Sequence, residues 1–231
     1  MRKLFIGLFA VSLSWASVCD RDFRQDLPFA PSDVKVLSKR EVAKGLCEVL
    51  LQDKEVIVPL YIGEDFTMVG ALFRQGQDLT AKARQEARAK VLREKIDSLK
   101  SFVVASTGIP KDDRYFFYFV DPNCRYCEAS KRRTVELAKA KGYEVYLVFL
   151  PFLGPDSRSK VSRFVCSKGT IRDYLEGNYS GSECPQGNAY VEKVLEMASS
   201  LGIGGVPFYL FPDGYTIEGA NFAELEKRLS Q

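Results

Sequence analysis

The sequence predicts an α+β protein of two unequal parts: a small strand-rich N-terminal region and a C-terminal α/β domain with a helical insert, joined by a helix. Three observations predict it. Short apolar runs separated by turns fill residues 20 to 75, and an alanine-rich, charged stretch without glycine or proline then runs to Lys100. Beyond Pro110, wholly apolar strand-like runs alternate with segments of helical character. The 231 residues suffice for two small domains, and 46% hydrophobic with 27% charged is the balance of an ordinary globular chain.

The first residues read as an export signal. Arg2 and Lys3 form a basic start, Leu4 to Leu13 a short apolar stretch, and Ser14 and Ala16 the small residues of a cleavage site. Residues 1–16 are therefore expected to be a signal peptide cleaved near Ala16, with the mature chain starting near Ser17 in the periplasm. The apolar run is too short to span a bilayer. Cys19 keeps a lipid-anchored reading open, although Val18 fits poorly before a lipidated cysteine; a buried N-terminal helix is the other alternative. The net charge of +3 falls to about +1 without Arg2 and Lys3, which leaves no basic field for nucleic acid.

Export changes how the six cysteines read, because an even number in an oxidising compartment suggests three pairs. Cys124 and Cys127 are one close pair, Cys166 and Cys184 a second, and Cys19 and Cys47 are left as the third. The chain has no histidine. This excludes Ser–His–Asp and Cys–His catalysis, His-ligated haem and His-containing zinc sites. Thiols and carboxylates must carry the chemistry, and neither a metal nor a cofactor is expected.

The elements follow in order. Within residues 17–77, Val34 to Leu37, Leu46 to Leu51, Val56 to Tyr61 and Phe66 to Phe73 read as strands, punctuated by Gly63, Gly70 and Gly76. So small a region has little core of its own and is expected to need a partner chain. Residues 78–101 read as a linker helix capped by Asp78, with a favourable Glu86–Lys90 pair and one thin stripe of Leu92, Ile96 and Leu99. A helix that polar reads as a solvated connector, a core helix with a wet face being the alternative.

Residues 102–231 make the second domain. Tyr115 to Val120 fits a strand buried on both faces; Asp121-Pro122-Asn123 breaks it, and Cys124 opens a helical segment to about Lys141. Tyr143 to Leu150 is a second buried strand. An insert over about 155–202 is helical in tone, interrupted around Gly177 to Gly187. Phe208 to Phe211 is a third strand, Pro212-Asp213-Gly214 turns into a fourth near Tyr215 to Ile217, and Asn221 with Glu224 opens a final helix. Strand, helix, strand, helices, hairpin, helix is the thioredoxin order.

Cys124-Arg125-Tyr126-Cys127 sits where a buried strand hands over to a helix. Free N–H groups and the macrodipole there favour a negative charge on Cys124, the expected nucleophile, and Arg125 adds a cation beside it. Cys127, one turn inside, is expected to be more buried and to act as the resolving thiol. Half of a zinc site or a purely structural disulfide are the alternatives. Gly205-Val206-Pro207, just before a strand, fits the cis-proline that packs against such cysteines in thioredoxin-like folds and pairs with substrate backbone.

On these residues the second domain resembles the thioredoxin domain of the DsbC/DsbG family of periplasmic disulfide isomerases. Phe119-Val120-Asp121 before the cysteines, Tyr126 before the second cysteine, Cys166 and Cys184 in the insert, and Val206-Pro207 followed by Pro212-Asp213-Gly214 carry the resemblance. The upstream region is similar by layout. The resemblance implies a homodimer with two active sites facing an apolar cleft for misfolded or mis-oxidised client proteins, isomerising or reducing their disulfides, with a membrane thiol reductase as electron donor. It implies that Cys166 and Cys184 form a structural disulfide, and that Arg125, Tyr126, Val206 and Pro207 tune the site and bind substrate. Arg125 stands where the family has glycine or proline, and Val206 where isomerases commonly have threonine. A DsbA-like dithiol oxidase, or a chaperone with minor redox activity, are the alternative functions. Cys19 and Cys47 have no family counterpart and would staple the N-terminal domain or bridge two subunits.

Overall fold

The computed structural model describes residues 17–54 and 56–231, so the expected signal peptide lies outside the described residues. Two short 3-10 turns, Val18–Asp20 and Phe23–Gln25, begin the described chain, capped by the side chains of Ser17 and Asp22. Four antiparallel strands follow as a meander: β1 (Lys35–Ala43), β2 (Leu46–Asp53), β3 (Val56–Ile62) and β4 (Thr67–Val69). One face of β2 and β3, with Cys47, Val49, Leu51, Leu60 and Ile62, closes over Phe23 in a small core. The Cys19–Cys47 disulfide pins the first turn to that face within one chain.

The expected strand Phe66 to Phe73 is two pieces. β4 stops at Val69, and β5 (Phe73–Arg74) pairs instead with β6 (Gln77–Asp78) in a separate hairpin. Gln75 and Gly76 between them both have positive φ, 51° and 78°, as a two-residue hairpin turn requires. Before β5, the Leu72 amide donates to Thr80 Oγ1 at 2.7 Å, a partner outside any strand.

The linker is likewise corrected. Helix α1 (Leu79–Arg93), capped by Asp78 accepting from the Ala81 amide, ends at Glu94, and a short α2 (Ile96–Leu99) follows before a 3-10 turn over Lys100–Phe102. It is no solvated connector. Thr80 and Ala83 are buried on the N-terminal side, where Thr80 hydrogen-bonds Tyr61. Leu92, Ile96 and Leu99 are buried among Tyr115, Phe117 and Phe119 of the second domain.

The second sheet has five strands. Its centre is β8 (Tyr115–Val120), parallel to β9 (Glu144–Phe149) and antiparallel to β10 (Phe208–Leu210), which turns into β11 (Thr216–Glu218). A two-residue strand β7 (Ala105–Ser106), too short to leave a sequence signal, pairs with the far edge of β9. All six residues of β8 are buried, and strand alternation sorts them. Phe116, Tyr118 and Val120 share a core with α3 (Arg125–Ala140), α4 (Pro155–Cys166), α5 (Ile171–Glu176) and α7 (Phe222–Leu229). Tyr115, Phe117 and Phe119 meet α2 and the Val194–Ala198 part of α6 (Pro185–Ser200). Where α4 and α6 cross, Gly187 is required: a Cβ there would stand 2.4 Å from the Ser162 carbonyl oxygen. Among the described residues no helix is long and apolar enough to cross a membrane.

Candidate active site

The end of β8 builds the site. The buried Asp121 carboxylate accepts from the Asn123 amide at 2.7 Å, the Leu153 amide at 2.9 Å and the Ser157 hydroxyl. Those three bonds fold the strand end into a turn and hold it against the start of α4. The turn delivers Cys124 to the N-cap of α3, where unpaired helix amides and the helix dipole meet its sulfur. Cys124 Sγ accepts from the Cys127 amide at 3.4 Å, and its thiol points to the Val206 carbonyl oxygen at 3.6 Å.

The two thiols, both free, are not equivalent. Cys124 keeps 8% of its surface exposed, Cys127 only 1%. Burial pushes the Cys127 thiol far above its ordinary range; the Asp121 backbone opposes this, while the Cys124 sulfur and the Asp121 carboxylate add to it. Cys124 is thus the more accessible thiol, and Cys127 the buried, protonated one.

The Val206–Pro207 peptide is cis, and β10 begins immediately after it in register with β8, Phe208 opposite Phe119. Beside this loop Gly202, Gly204, Gly205, Val206, Phe208, Glu218 and Gly219 line a cavity of about 440 Å³. So many glycines permit another backbone to approach closely.

Arg125 departs from expectation. Its guanidinium donates to the Tyr126 hydroxyl at 2.7 Å and lies over the Tyr126 ring at 4.7 Å, so its partner is the neighbouring aromatic and not the Cys124 sulfur. Tyr126, with Phe152 and Leu153 in the loop that Asp121 anchors, leaves apolar surface exposed at this end of the sheet. Asn123, behind the cysteines, accepts from Lys160 and donates to Asp156, whose carboxyl these two neighbours hold below the usual range.

Cys166 and Cys184 form a disulfide across 18 residues that joins the end of α4 to the cap of α6. Sequence reasoning did not single out Asp121 as the anchor, nor the buried hydroxyls of Tyr118, Ser130, Thr134, Tyr174 and Tyr209 beneath α3. The only trace of the latter was Ser130 and Thr134, four apart on the buried face of a helix.

The fold and the Cys-x-x-C pair capping its helix define a thioredoxin-fold dithiol protein. Residues 106–231 match the thioredoxin-like domain family, and this chain belongs to it. The chain is 29% identical over 183 residues to a probable thiol:disulfide interchange protein DsbC of Bordetella parapertussis, and 28% identical to its namesake in Bordetella pertussis. Each alignment covers 74% of this chain and 61% of the relative, so the chain spans about three-fifths of the length of these relatives. Among solved structures, a linker-deletion variant of Proteus mirabilis ScsC shares the fold at 18% identity and a TM-score of 0.50, over 65% of this chain and 85% of that one.

Proposed function

We propose that this chain is an exported, periplasmic thiol:disulfide interchange enzyme that isomerises or reduces non-native disulfides in client proteins. The observation that carries the reading is the unequal pair at the start of α3: a helix-capping Cys124 with a free thiol, and a buried, protonated Cys127 one turn behind. Cys124 as thiolate attacks a client disulfide, forms a mixed disulfide and releases one client thiol. A second client thiol then displaces Cys124, which is isomerisation. Alternatively Cys127 does so, which reduces the client and leaves Cys124 and Cys127 joined. A thiol reductase in the membrane would return them to thiols.

The glycine-lined cavity beside Val206 and Pro207 suits the backbone of a client strand, and Tyr126, Phe152 and Leu153 suit its side chains without sequence preference. The isomerase reading is favoured over the oxidase reading by the alignment to DsbC-named relatives, which is longer than the thioredoxin-like match and so reaches upstream of it. We further propose that residues 17–77 make the chain a homodimer. Among the described residues the outer edge of β4 is unpaired, and Met68 and Val69 on that strand, with Phe66 just before it, are exposed, as a pairing surface requires. Sedimentation of the full chain as a monomer would remove the dimeric part of the proposal.

The test is trapping. A Cys127→Ser variant mixed with a scrambled multi-disulfide protein should accumulate mixed disulfides through Cys124, visible on non-reducing gels and absent from Cys124→Ser. Equal exchange by wild type and Cys124→Ser would end the reading.

A further inference from the structure

Arg88 on α1 reaches across to the loop that precedes Pro207. One arm of its guanidinium donates to the Gly202 carbonyl oxygen at 3.1 Å, and the other pairs with Glu218 of β11 at 3.2 Å. Its central carbon lies 5.7 Å from the centre of the Phe208 ring. Gly202, Phe208 and Glu218 all line the cavity of about 440 Å³ beside Val206. One side chain of the linker thus ties together separate segments of that cavity.

Between its ties the loop is open. Among the described residues neither Gly204 nor Gly205 makes a hydrogen bond, and a Cβ on either would meet nothing within 4 Å. The fixed points lie on each side. The Gly202 and Ile203 amides donate to the Ser199 and Ala198 carbonyl oxygens at 3.0 and 2.9 Å, and the Gly219 amide donates to that of Pro207 at 2.8 Å. Val206, between them, presents its carbonyl oxygen to Cys124 Sγ at 3.6 Å. The backbone that a client strand would meet is therefore held from its ends. Arg88 grips Gly202 at one end and, at the other, Glu218 beside Gly219.

Docking of the helix does not need these bonds. Ala89 is seated on Gly214, and Leu92 and Ile96 are buried against the second domain. Glu218 leaves 69% of its side chain open to solvent, and so exposed an ion pair adds little stability. Reaching two segments at once takes the fork of a guanidinium, and a cation is favoured beside Gly202 because α6 ends at Ser200.

We propose that Arg88 is a positioning residue: by holding Gly202 and Glu218 it fixes the shape of the glycine cavity, and so how tightly client backbone seats before Cys124 attacks. This rests on the thiol-exchange reading above. It makes client affinity depend on α1, an element upstream of the thioredoxin-like match.

The experiment uses the reduced full chain carrying Cys127→Ser, so that exchange stops at the mixed disulfide. Two disulfides serve as probes. One is 5,5′-dithiobis(2-nitrobenzoate), which has no peptide backbone; the other is an unstructured peptide whose single cysteine is joined to 5-thio-2-nitrobenzoate. In each, the Cys124 thiolate bonds to one sulfur, the S–S bond breaks, and coloured thionitrobenzoate leaves with the electron pair. Arg88→Ala should raise the half-saturating peptide concentration about tenfold, the effect of losing one charge-assisted hydrogen bond. Its limiting rate with the peptide and its rate with the small disulfide should not change. It should melt within about 4 °C of the chain with Cys127→Ser alone. Arg88→Lys keeps the charge but cannot bond both segments, and should behave as Arg88→Ala. The control, Arg84→Ala, removes an equal charge one turn earlier on α1 and should exchange as the chain with Cys127→Ser alone. Unchanged peptide saturation in Arg88→Ala or Arg88→Lys, or equal weakening in Arg84→Ala, would overturn the inference while leaving the exchange reading intact. So would an equal loss with both disulfides, which would place the effect on the thiol or the fold. No exchange with either disulfide by the chain with Cys127→Ser alone would overturn both.

Discussion

Gly214 and Ala89 meet backbone to backbone: a Cβ on Gly214 would stand 1.9 Å from the Ala89 carbonyl oxygen. The turn between β10 and β11 thus lies directly on α1. One residue earlier on that helix, Arg88 bonds Glu218 at 3.2 Å, donates to the Gly202 carbonyl oxygen at 3.1 Å and lies over Phe208. The linker is therefore fastened to the same loop that carries Val206 and Pro207.

Gly214→Ala should break this fastening. Its φ of +84° already disfavours a side chain, and the new methyl would strike a backbone atom that cannot give way. The cost should be at least about 2 kcal/mol. Denaturant unfolding checks the loss, and faster proteolysis within α1 would locate it; unchanged stability would contradict the docked linker.

The two thiols should differ sharply in reactivity. In the reduced protein, iodoacetamide should modify Cys124 and spare Cys127 between about pH 6 and pH 9, because the buried Cys127 stays protonated. Mass spectrometry of the alkylated peptides reads the outcome. Equal labelling of the two would mean that Cys127 is not held as described.

Acid should weaken the N-terminal region through Asp26. Its carboxyl accepts from Thr67 at 2.6 Å and pairs with Arg21 at 2.7 Å, and these partners hold it below its reference value of 3.8. A lowered folded value means stability that is present above about pH 3.8 and is lost as pH falls through the folded value. Asp26→Asn should accordingly melt below wild type at pH 7, and the two should converge as pH falls through the lowered value of the Asp26 carboxyl. A difference that did not change with pH would contradict this pairing.

Replacing both Cys166 and Cys184 with serine should cost about 3 kcal/mol, the loop-closure value for a bridge spanning 18 residues. The loss should appear as earlier unfolding of α4 and α6 by hydrogen exchange. Uniform protection in the variant would mean that the crossing at Gly187 suffices without the bridge.

What was readable in the sequence was local. The six apolar residues of β8, the break at Asp121-Pro122-Asn123 and the cap at Cys124 lie next to one another, so adjacent residues could report a buried strand handing over to a helix. The break between α1 and α2 has no proline or glycine to announce it. It arises because Leu92, Ile96 and Leu99 must reach Tyr115 and Phe117, and packing overrides propensity there. The hairpin of β5 and β6 was hidden because Phe66 to Phe73 is mostly apolar, and its break comes with the Leu72 amide bonding Thr80, eight residues further on. The direction of Arg125 is a rotamer choice made against Tyr126, and the buried cluster of Tyr118, Tyr174 and Tyr209 is assembled from three elements far apart in the chain.

The most direct test of the central claim is refolding of a scrambled multi-disulfide protein by the reduced enzyme, with Cys124→Ser in parallel. The account predicts recovery of the native client that requires Cys124 and needs no added oxidant. Recovery only from a fully reduced client, and only by the disulfide form of the enzyme, would contradict it and make this chain an oxidase.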